Sequence, residues 1–155
     1  MDREEPLIVA DTATEHMLVA APPERCYEVA ADLERYPDFF GDIKEIEIHE
    51  RDDQGRPLVV MFRAAAFGRS TSYTLAYDYS DAPHVLAWNL TQGDITTKLD
   101  GQYVFDPGED GNTEVTYHLE VELRVPIPGF IKMRATSRIM TYALRDLRAR
   151  IESTS

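Results

Sequence analysis

Five aromatic side chains carry the strongest chemical signal in this sequence. They fall on the apolar phase of segments that alternate like β-strands, and they are Tyr73, Tyr77, Trp88, Tyr103 and Tyr117. A buried phenol needs a hydrogen-bond partner, so these residues on one concave surface could line a cavity and offer hydroxyl groups to a ligand. Aromatic residues also dominate ordinary cores, and a solid core explains the pattern equally well.

Two polar residues could enter such a cavity. In residues 58–67 both strand phases are apolar, so Arg63 would point inward if the second phase faced the core. We favour an outer position beside an acidic residue, since burying an unpaired charge costs several kcal/mol. Ser137 is the one polar member of an apolar helical stripe. It supplies either a polar group or a small side chain that lets helix and sheet approach.

The other reactive side chains do not form a recognisable catalytic or metal site. The four histidines lie in four separate segments, and the sequence has neither a histidine pair at helical spacing nor a Cys/His cluster. The pairs Glu45/Glu47 and Glu120/Glu122 fall on the polar phases of their strands, which indicates solvated faces. Cys26 has no histidine near it in sequence and is expected to be buried on an early helix. We therefore expect no metal and no cofactor.

Composition and charge restrict the function classes. The 155 residues include 28 acidic and 16 basic groups and carry a formal net charge of -12, which argues against a nucleic-acid binder that relies on overall charge. No apolar run approaches the roughly 20 residues that cross a bilayer. The N-terminus lacks the basic region of a signal peptide, so we expect a cytoplasmic protein. Residues 128–155 hold six basic against two acidic groups. This basic helix could contact an anionic partner or a membrane, but we favour a solvated face that the acidic sheet neutralises.

The elements that must position these residues are strands first and one long helix last. The predicted strands are 14–21, 43–50, 58–67, 70–79, 84–91, 95–105 and 114–125. Two short helical segments follow the first strand, one opening at Pro22 and one over residues 33–40. Gly101 predicts a bulge or bend in its strand. A helix to about Glu152 carries the apolar stripe Phe130, Met133, Ser137, Met140, Leu144, Leu147 and Ile151.

This order of elements predicts one architecture. Hairpin-length connections require antiparallel neighbours, and the long helix is the one element able to cover the apolar face of the sheet. We predict an α+β fold with a curved antiparallel sheet of about seven strands wrapped around the C-terminal helix. Residues 1–11 are predicted to form a flexible tail, and residues 12–155 a single domain.

Four segments resemble a known family. They are Tyr36–Phe40 (YPDFF), Ile43–Ile48 (IKEIEI), Leu86–Trp88 and Pro126–Lys132. They are similar to the polyketide cyclase/dehydrase and coenzyme-Q-binding-protein branch of the START-like superfamily, over about residues 12–153. The resemblance implies the helix-grip fold and a deep hydrophobic cavity between sheet and terminal helix. Members bind lipids, quinones, polyketides, plant hormones or aromatic compounds there, and some catalyse cyclisation or dehydration. A shared fold does not determine function.

We therefore expect a protein that binds a hydrophobic, aromatic or polycyclic molecule of the lipid, quinone or polyketide type, in a cavity of about 300 Å³ or more. Tyr36, Phe39 and Phe40 would gate the mouth. The expected walls are Ile46, Ile48, Phe62, Tyr73, Leu75, Tyr77, Trp88, Leu99, Tyr103, Tyr117, Leu119, Phe130, Met133, Ser137 and Met140.

Two alternatives stay open. One is a polyketide aromatase/cyclase or dehydratase, in which a tyrosine or an inward Arg63 would polarise a carbonyl group. The other is a ribosome- or protein-interacting module that acts through the basic C-terminal helix. The oligomeric state is also open, with a homodimer as one option.

Overall fold

The backbone forms one antiparallel sheet of seven strands. The computed structural model describes residues 7–66, 69–125 and 129–153, and the side chains of residues 10–65, 70–124, 138 and 140–153. The strands are β1 (Leu7–Val19), β2 (Ile43–Arg51), β3 (Pro57–Ala66), β4 (Arg69–Asp78), β5 (Val85–Gly93), β6 (Thr96–Pro107) and β7 (Thr113–Val125). Their order in the sheet is β1-β7-β6-β5-β4-β3-β2. The predicted α+β helix-grip fold with seven strands is confirmed.

The first strand is longer than its sequence pattern indicates. β1 pairs with β7 from Leu7↔Val125 to Val19↔Thr113, so residues 7–11, assigned to a tail from the sequence, belong to the strand. Asp11 and Glu15 lie on the inward phase of β1 and interrupt the apolar alternation. The interruption hides the strand from a search for period two, because such a search needs every second residue to be apolar.

Two short helices connect β1 to β2. α1 (Pro23–Ala31) opens at a proline and buries Cys26, Val29 and Ala30, as predicted for Cys26. A 3-10 turn (Leu33–Arg35) then leads into α2 (Tyr36–Phe39). The second short helical segment predicted from the sequence is therefore a turn followed by one helical turn, and it places the ring of Tyr36 in the core.

The terminal helix α3 (Gly129–Ser153) presents a buried stripe to β1 and α1. Met140, Leu147 and Ile151 are fully buried, and Leu144 nearly so. The predicted members Phe130, Met133 and Ser137 lie where no side chain is described, and Pro126–Pro128 lie outside the described residues. No helix within the described ranges is long and apolar enough to span a bilayer.

Gly101 does not form the bulge predicted for it. It pairs in register with Trp88 on β5 and with Leu119 on β7, and the irregularity of β6 lies between Thr96 and Lys98 instead. A Cβ atom at position 101 would lie 2.6 Å from the carbonyl oxygen of His118 and 2.9 Å from Cζ2 of Trp88. The glycine is required because the indole ring lies across the strand at this point.

Candidate ligand-binding cavity

A cavity of about 190 Å³ lies between the concave face of the sheet and α3. Its described lining consists of Tyr36, Phe40, Asp42, Ile43, Phe62, Ala64, Ala65, Thr71, Tyr73, Leu75, Tyr77, Trp88, Ile95, Thr96, Leu99, Tyr103, Tyr117, Leu119, Val121, Leu123, Tyr142, Ala143 and Asp146. The interior is therefore partly hollow, as the aromatic pattern suggests. The volume is below the roughly 300 Å³ predicted from the sequence for a drug-sized ligand, so that part of the prediction is wrong.

Aromatic rings form a continuous wall along the sheet side of the cavity. The ring centroids of Tyr103 and Tyr117 are 4.6 Å apart, and those of Trp88 and Tyr103 are 5.3 Å apart. Tyr77 extends the wall at 6.0 Å from Trp88. These residues face inward because the strands alternate, and their ring centroids lie at the separations of roughly 4.5–7 Å that aromatic pairs favour.

The hydroxyl groups of the lining differ in how they are satisfied. The hydroxyl of Tyr36 donates a hydrogen bond to the carbonyl oxygen of Ala30. The hydroxyls of Tyr103 and Tyr117 interact with each other.

Two of the lining phenols lack such a partner. No hydrogen bond to any group that the structure describes is made by the hydroxyls of Tyr73 and Tyr77 or by the indole N–H of Trp88. Tyr77 is only 6% exposed. Among the described residues, the fully enclosed side-chain atom without a partner is Nε of Arg25, so these three groups border accessible space, where water or a ligand can pair with them.

Burial keeps the lining phenols neutral. Desolvation raises the pKa of Tyr36, Tyr77 and Tyr103 well above its usual value. It also raises the pKa of Tyr73, with a smaller contribution from the negative charge of Asp42. At neutral pH these groups are hydrogen-bond donors and acceptors, and not bases or nucleophiles.

The cavity reaches the surface between the α2–β2 loop and α3. Asp42 is exposed, and Tyr142 is 41% exposed. The backbone N–H of Gly41 donates to Oδ2 of Asp146 at 3.4 Å, which ties the loop to the helix. This end, which we call the mouth, contains Asp42, Tyr142 and Asp146.

Besides Tyr36, ten of the residues predicted as cavity walls or gate line the cavity. They are Phe40, Phe62, Tyr73, Leu75, Tyr77, Trp88, Leu99, Tyr103, Tyr117 and Leu119. Tyr36, expected at the mouth, also lines it. The side chains of Phe130, Met133 and Ser137 are outside the described part.

Four other predicted residues do not contribute to the described lining. Ile46 and Ile48 are partly buried on the edge strand β2, which packs against α2. Phe39 packs against the rings of Tyr36 and Phe40 and lies under the guanidinium of Arg150. Met140 is fully buried on the stripe that faces β1 and α1.

Arg63 does not enter the cavity. It is 48% exposed, and its Nε lies 3.1 Å from Oε1 of Glu45, the residue directly opposite on β2. The outer, acid-paired position favoured from the sequence is the one observed. Arg63 is thus not a polar anchor for a ligand.

Sequence reasoning missed most of the mouth and part of the wall. Val121 and Leu123 continue the inward phase of Tyr117 and Leu119 along β7, so the alternation could have found them. Ala143 and Asp146 lie beside the apolar stripe of α3 and not on it. No local pattern marks Asp42, which precedes β2 in a loop.

The remaining polar clusters lie on the outer face of the sheet. His118 Nδ1 is 2.8 Å from Oγ1 of Thr14, and His84 Nε2 is 2.8 Å from Oδ1 of Asp106. Within the described ranges, no group of three or more His, Cys, Asp or Glu side chains could hold a metal ion.

Comparison with known proteins gives a consistent result. A family model described as polyketide cyclase / dehydrase and lipid transport matches residues 10–152. A START superfamily protein from Mycobacterium smegmatis superposes with a TM-score of 0.86 at 26% identity, covering 93% of this chain and 99% of that chain. No curated protein matches the sequence significantly.

Two further solved structures have the same fold. The Zhui aromatase/cyclase from Streptomyces sp. R1128 gives a TM-score of 0.81 at 19% identity, covering 92% of this chain and 94% of that one. The protein TTHA0849 from Thermus thermophilus gives a TM-score of 0.77 at 24% identity, covering 94% of this chain and 99% of that one. At these identities the likeness concerns the fold.

Proposed function

Because this chain belongs to the polyketide cyclase/dehydrase and lipid transport family, we propose that it binds a small hydrophobic molecule with one or two rings in the cavity. The observation that carries the proposal is the aromatic wall with donors at Tyr73, Tyr77 and Trp88 that have no partner among the described residues. Apolar burial would supply affinity at roughly 25 cal/mol per Å², and the donors would orient an oxygen of the ligand.

The size of the cavity favours ligands with one or two rings over larger polyketides and long-chain lipids. An engineered apolar cavity of roughly 150 Å³ in another protein binds benzene, so about 190 Å³ suits one or two rings. A larger polyketide or a long-chain lipid would need the cavity to widen or the ligand to extend through the mouth.

A matched pair of alanine variants tests the proposal. Ala143→Leu adds carbon atoms to the lining, whereas Ala149→Leu makes the same change at an exposed site of α3. We expect isothermal titration calorimetry to show binding of 2-naphthalenemethanol to the wild type and to Ala149→Leu. Affinity for Ala143→Leu should fall at least about tenfold, or about 1.4 kcal/mol.

Native mass spectrometry complements the titration. Protein purified from its own host should carry a bound compound that the alcohol displaces. If the wild type takes up neither a host compound nor the alcohol, or if both leucine variants bind like the wild type, binding in this cavity is excluded.

The two other functions have less support. A cyclase would need a group that polarises a carbonyl. Arg63, one candidate for that role, is paired with Glu45 on the outer face, which leaves a cavity tyrosine as the other candidate. No contact among the described residues of the basic helix favours a docking function. The guanidinium of Arg145 covers the ring of Tyr142, and that of Arg150 covers Phe39.

A further inference from the structure

The charged side chains that line the cavity, within the described part of the chain, are all carboxylates. They are Asp42 and Asp146, and both lie at the mouth. The hydrogen bond from Gly41 to Asp146 brings the chain neighbour of Asp42 against α3. A ligand that fills the cavity therefore has its outer end beside two negative groups.

The protein neutralises these carboxylates only in part. Asp42 forms no ion pair with the described residues. Asp146 lies 3.7 Å from Nη2 of Arg145, which is 62% exposed and whose guanidinium covers the ring of Tyr142. Nζ of Lys44 donates to the carbonyl oxygen of Gly41 at 2.8 Å. Neither cation lines the cavity, so the described charges that face the cavity at the mouth are the two carboxylates.

The deep end of the cavity independently indicates a ligand. Tyr77 and Trp88 are 6% and 9% exposed, and their polar groups have no partner in the described structure. Their rings also offer π faces, which attract cations. The cavity thus combines aromatic surface and donors without a described partner inside with partly neutralised carboxylates at the mouth.

We propose that the ligand carries a protonated amine, held at the mouth by Asp42 and Asp146 while its ring occupies the aromatic interior. This inference rests on the proposed function and narrows it to cationic aromatic molecules. A carboxylate at the same end of a ligand would be repelled, so fatty acids and aromatic acids are disfavoured.

Three ligands that share one ring system test the charge preference. They are 2-naphthylmethylamine, which is cationic at pH 7, the neutral 2-naphthalenemethanol and the anionic 2-naphthoate. We expect the amine to bind about 3- to 10-fold more tightly than the alcohol in calorimetry at low salt, because ion pairs near the surface gain only modest Coulomb energy. The naphthoate should bind more weakly than the alcohol. Added salt should reduce both differences.

Variants of the two aspartates test whether these residues cause the preference for the amine. Asp42→Asn with Asp146→Asn removes both charges and leaves an oxygen that can accept from Gly41. The double variant should bind amine and alcohol equally. Asp53→Asn, at an exposed turn outside the cavity lining, should keep the preference of the wild type.

Each result decides between the two proposals. If the wild type binds the alcohol but binds the amine no better, the charge inference fails and the proposed function stands. The same holds if the naphthoate binds most tightly, or if the double variant keeps the preference. If none of the three ligands binds, the charge inference fails, and the proposed function fails with it when protein purified from its own host also carries no bound compound.

Discussion

The hydroxyl groups around the cavity differ in what they contribute to the folded protein. That of Tyr36 is used internally, since it donates to the carbonyl of Ala30. That of Tyr77 has no partner among the described residues, although the residue is buried to a similar extent. Removing the two hydroxyls should therefore have opposite consequences for stability and binding.

We expect Tyr36→Phe to lower the free energy of unfolding by about 1–3 kcal/mol, because a buried carbonyl loses its donor. Tyr77→Phe should change the free energy of unfolding by less than about 0.5 kcal/mol and weaken binding of 2-naphthalenemethanol. Urea unfolding and calorimetry measure the two effects. If Tyr36→Phe and Tyr77→Phe lowered the free energy of unfolding equally, the conclusion that the two hydroxyls contribute differently to stability would be wrong.

Gly101 is a second position at which a single atom matters. We expect Gly101→Ala to cost about 1–3 kcal/mol, because the new methyl group would force the backbone of His118 or the ring of Trp88 to move. Trp88 is the only tryptophan in the sequence, so its fluorescence should also shift. Gly41→Ala is the control, since nothing lies within 4 Å of a Cβ there. An unchanged stability of Gly101→Ala would show that the strand yields at no cost.

At the scale of the element, two faces of α3 have different roles. One face, which we call the fastening face, packs against β1 and α1 through Met140, Leu144, Leu147 and Ile151. The other face lines the cavity through Ala143 and Asp146. The apolar period predicts the fastening face because burial in a continuous core leaves a regular trace in sequence. It does not predict the cavity face, since a small residue and an acid next to the stripe resemble an ordinary solvated boundary.

Leu147→Ala tests the fastening face. The side chain is fully buried, so we expect a loss of about 2–5 kcal/mol in the free energy of unfolding. Arg148→Ala, one residue further along and exposed, should stay within about 0.5 kcal/mol. Thermal and urea unfolding followed by circular dichroism would distinguish them. Similar values for the two variants would mean that α3 does not depend on this stripe.

The sheet was predictable for a similar reason. Hairpins and alternating strands leave local signals, and only the start of β1 was missed by more than two residues, because the inward-facing Asp11 interrupts the apolar alternation there. The mouth was not predictable, because Asp42 and Asp146 are 104 positions apart and meet only when α3 docks on the loop. The volume of the cavity depends on side-chain packing, which no periodicity encodes.

At the scale of the whole molecule, the clustered tyrosines link stability to high pH. Desolvation raises the pKa of five cavity tyrosines, Tyr36, Tyr73, Tyr77, Tyr103 and Tyr117. A phenol whose pKa is raised on folding keeps its proton in the folded state. Its stabilising contribution is therefore complete below about pH 10 and is lost as the pH rises above that value.

We expect cooperative unfolding in alkali. Five such groups lower the free energy of unfolding by roughly 7 kcal/mol per pH unit above pH 10, which exceeds or matches the whole stability of a small domain within one to two units. Urea titrations at pH 7, 10 and 11, with phenolate absorbance at 295 nm, measure this loss. Ionisation of all eight tyrosines near pH 10 with unchanged stability would contradict it.

The pairing of β1 with β7 has a consequence for biosynthesis. Thr14 and its partner His118 are 104 residues apart, whereas the other neighbouring strands of the sheet follow each other along the chain. At translation rates of roughly 5–20 residues per second, β1 leaves the ribosome about 5–20 s before its partner is made. During that interval its backbone hydrogen-bonding groups are unpaired, and an unpaired strand edge can associate with other chains. The unpaired edge of β1 is therefore open to association until β7, the last strand, has been made.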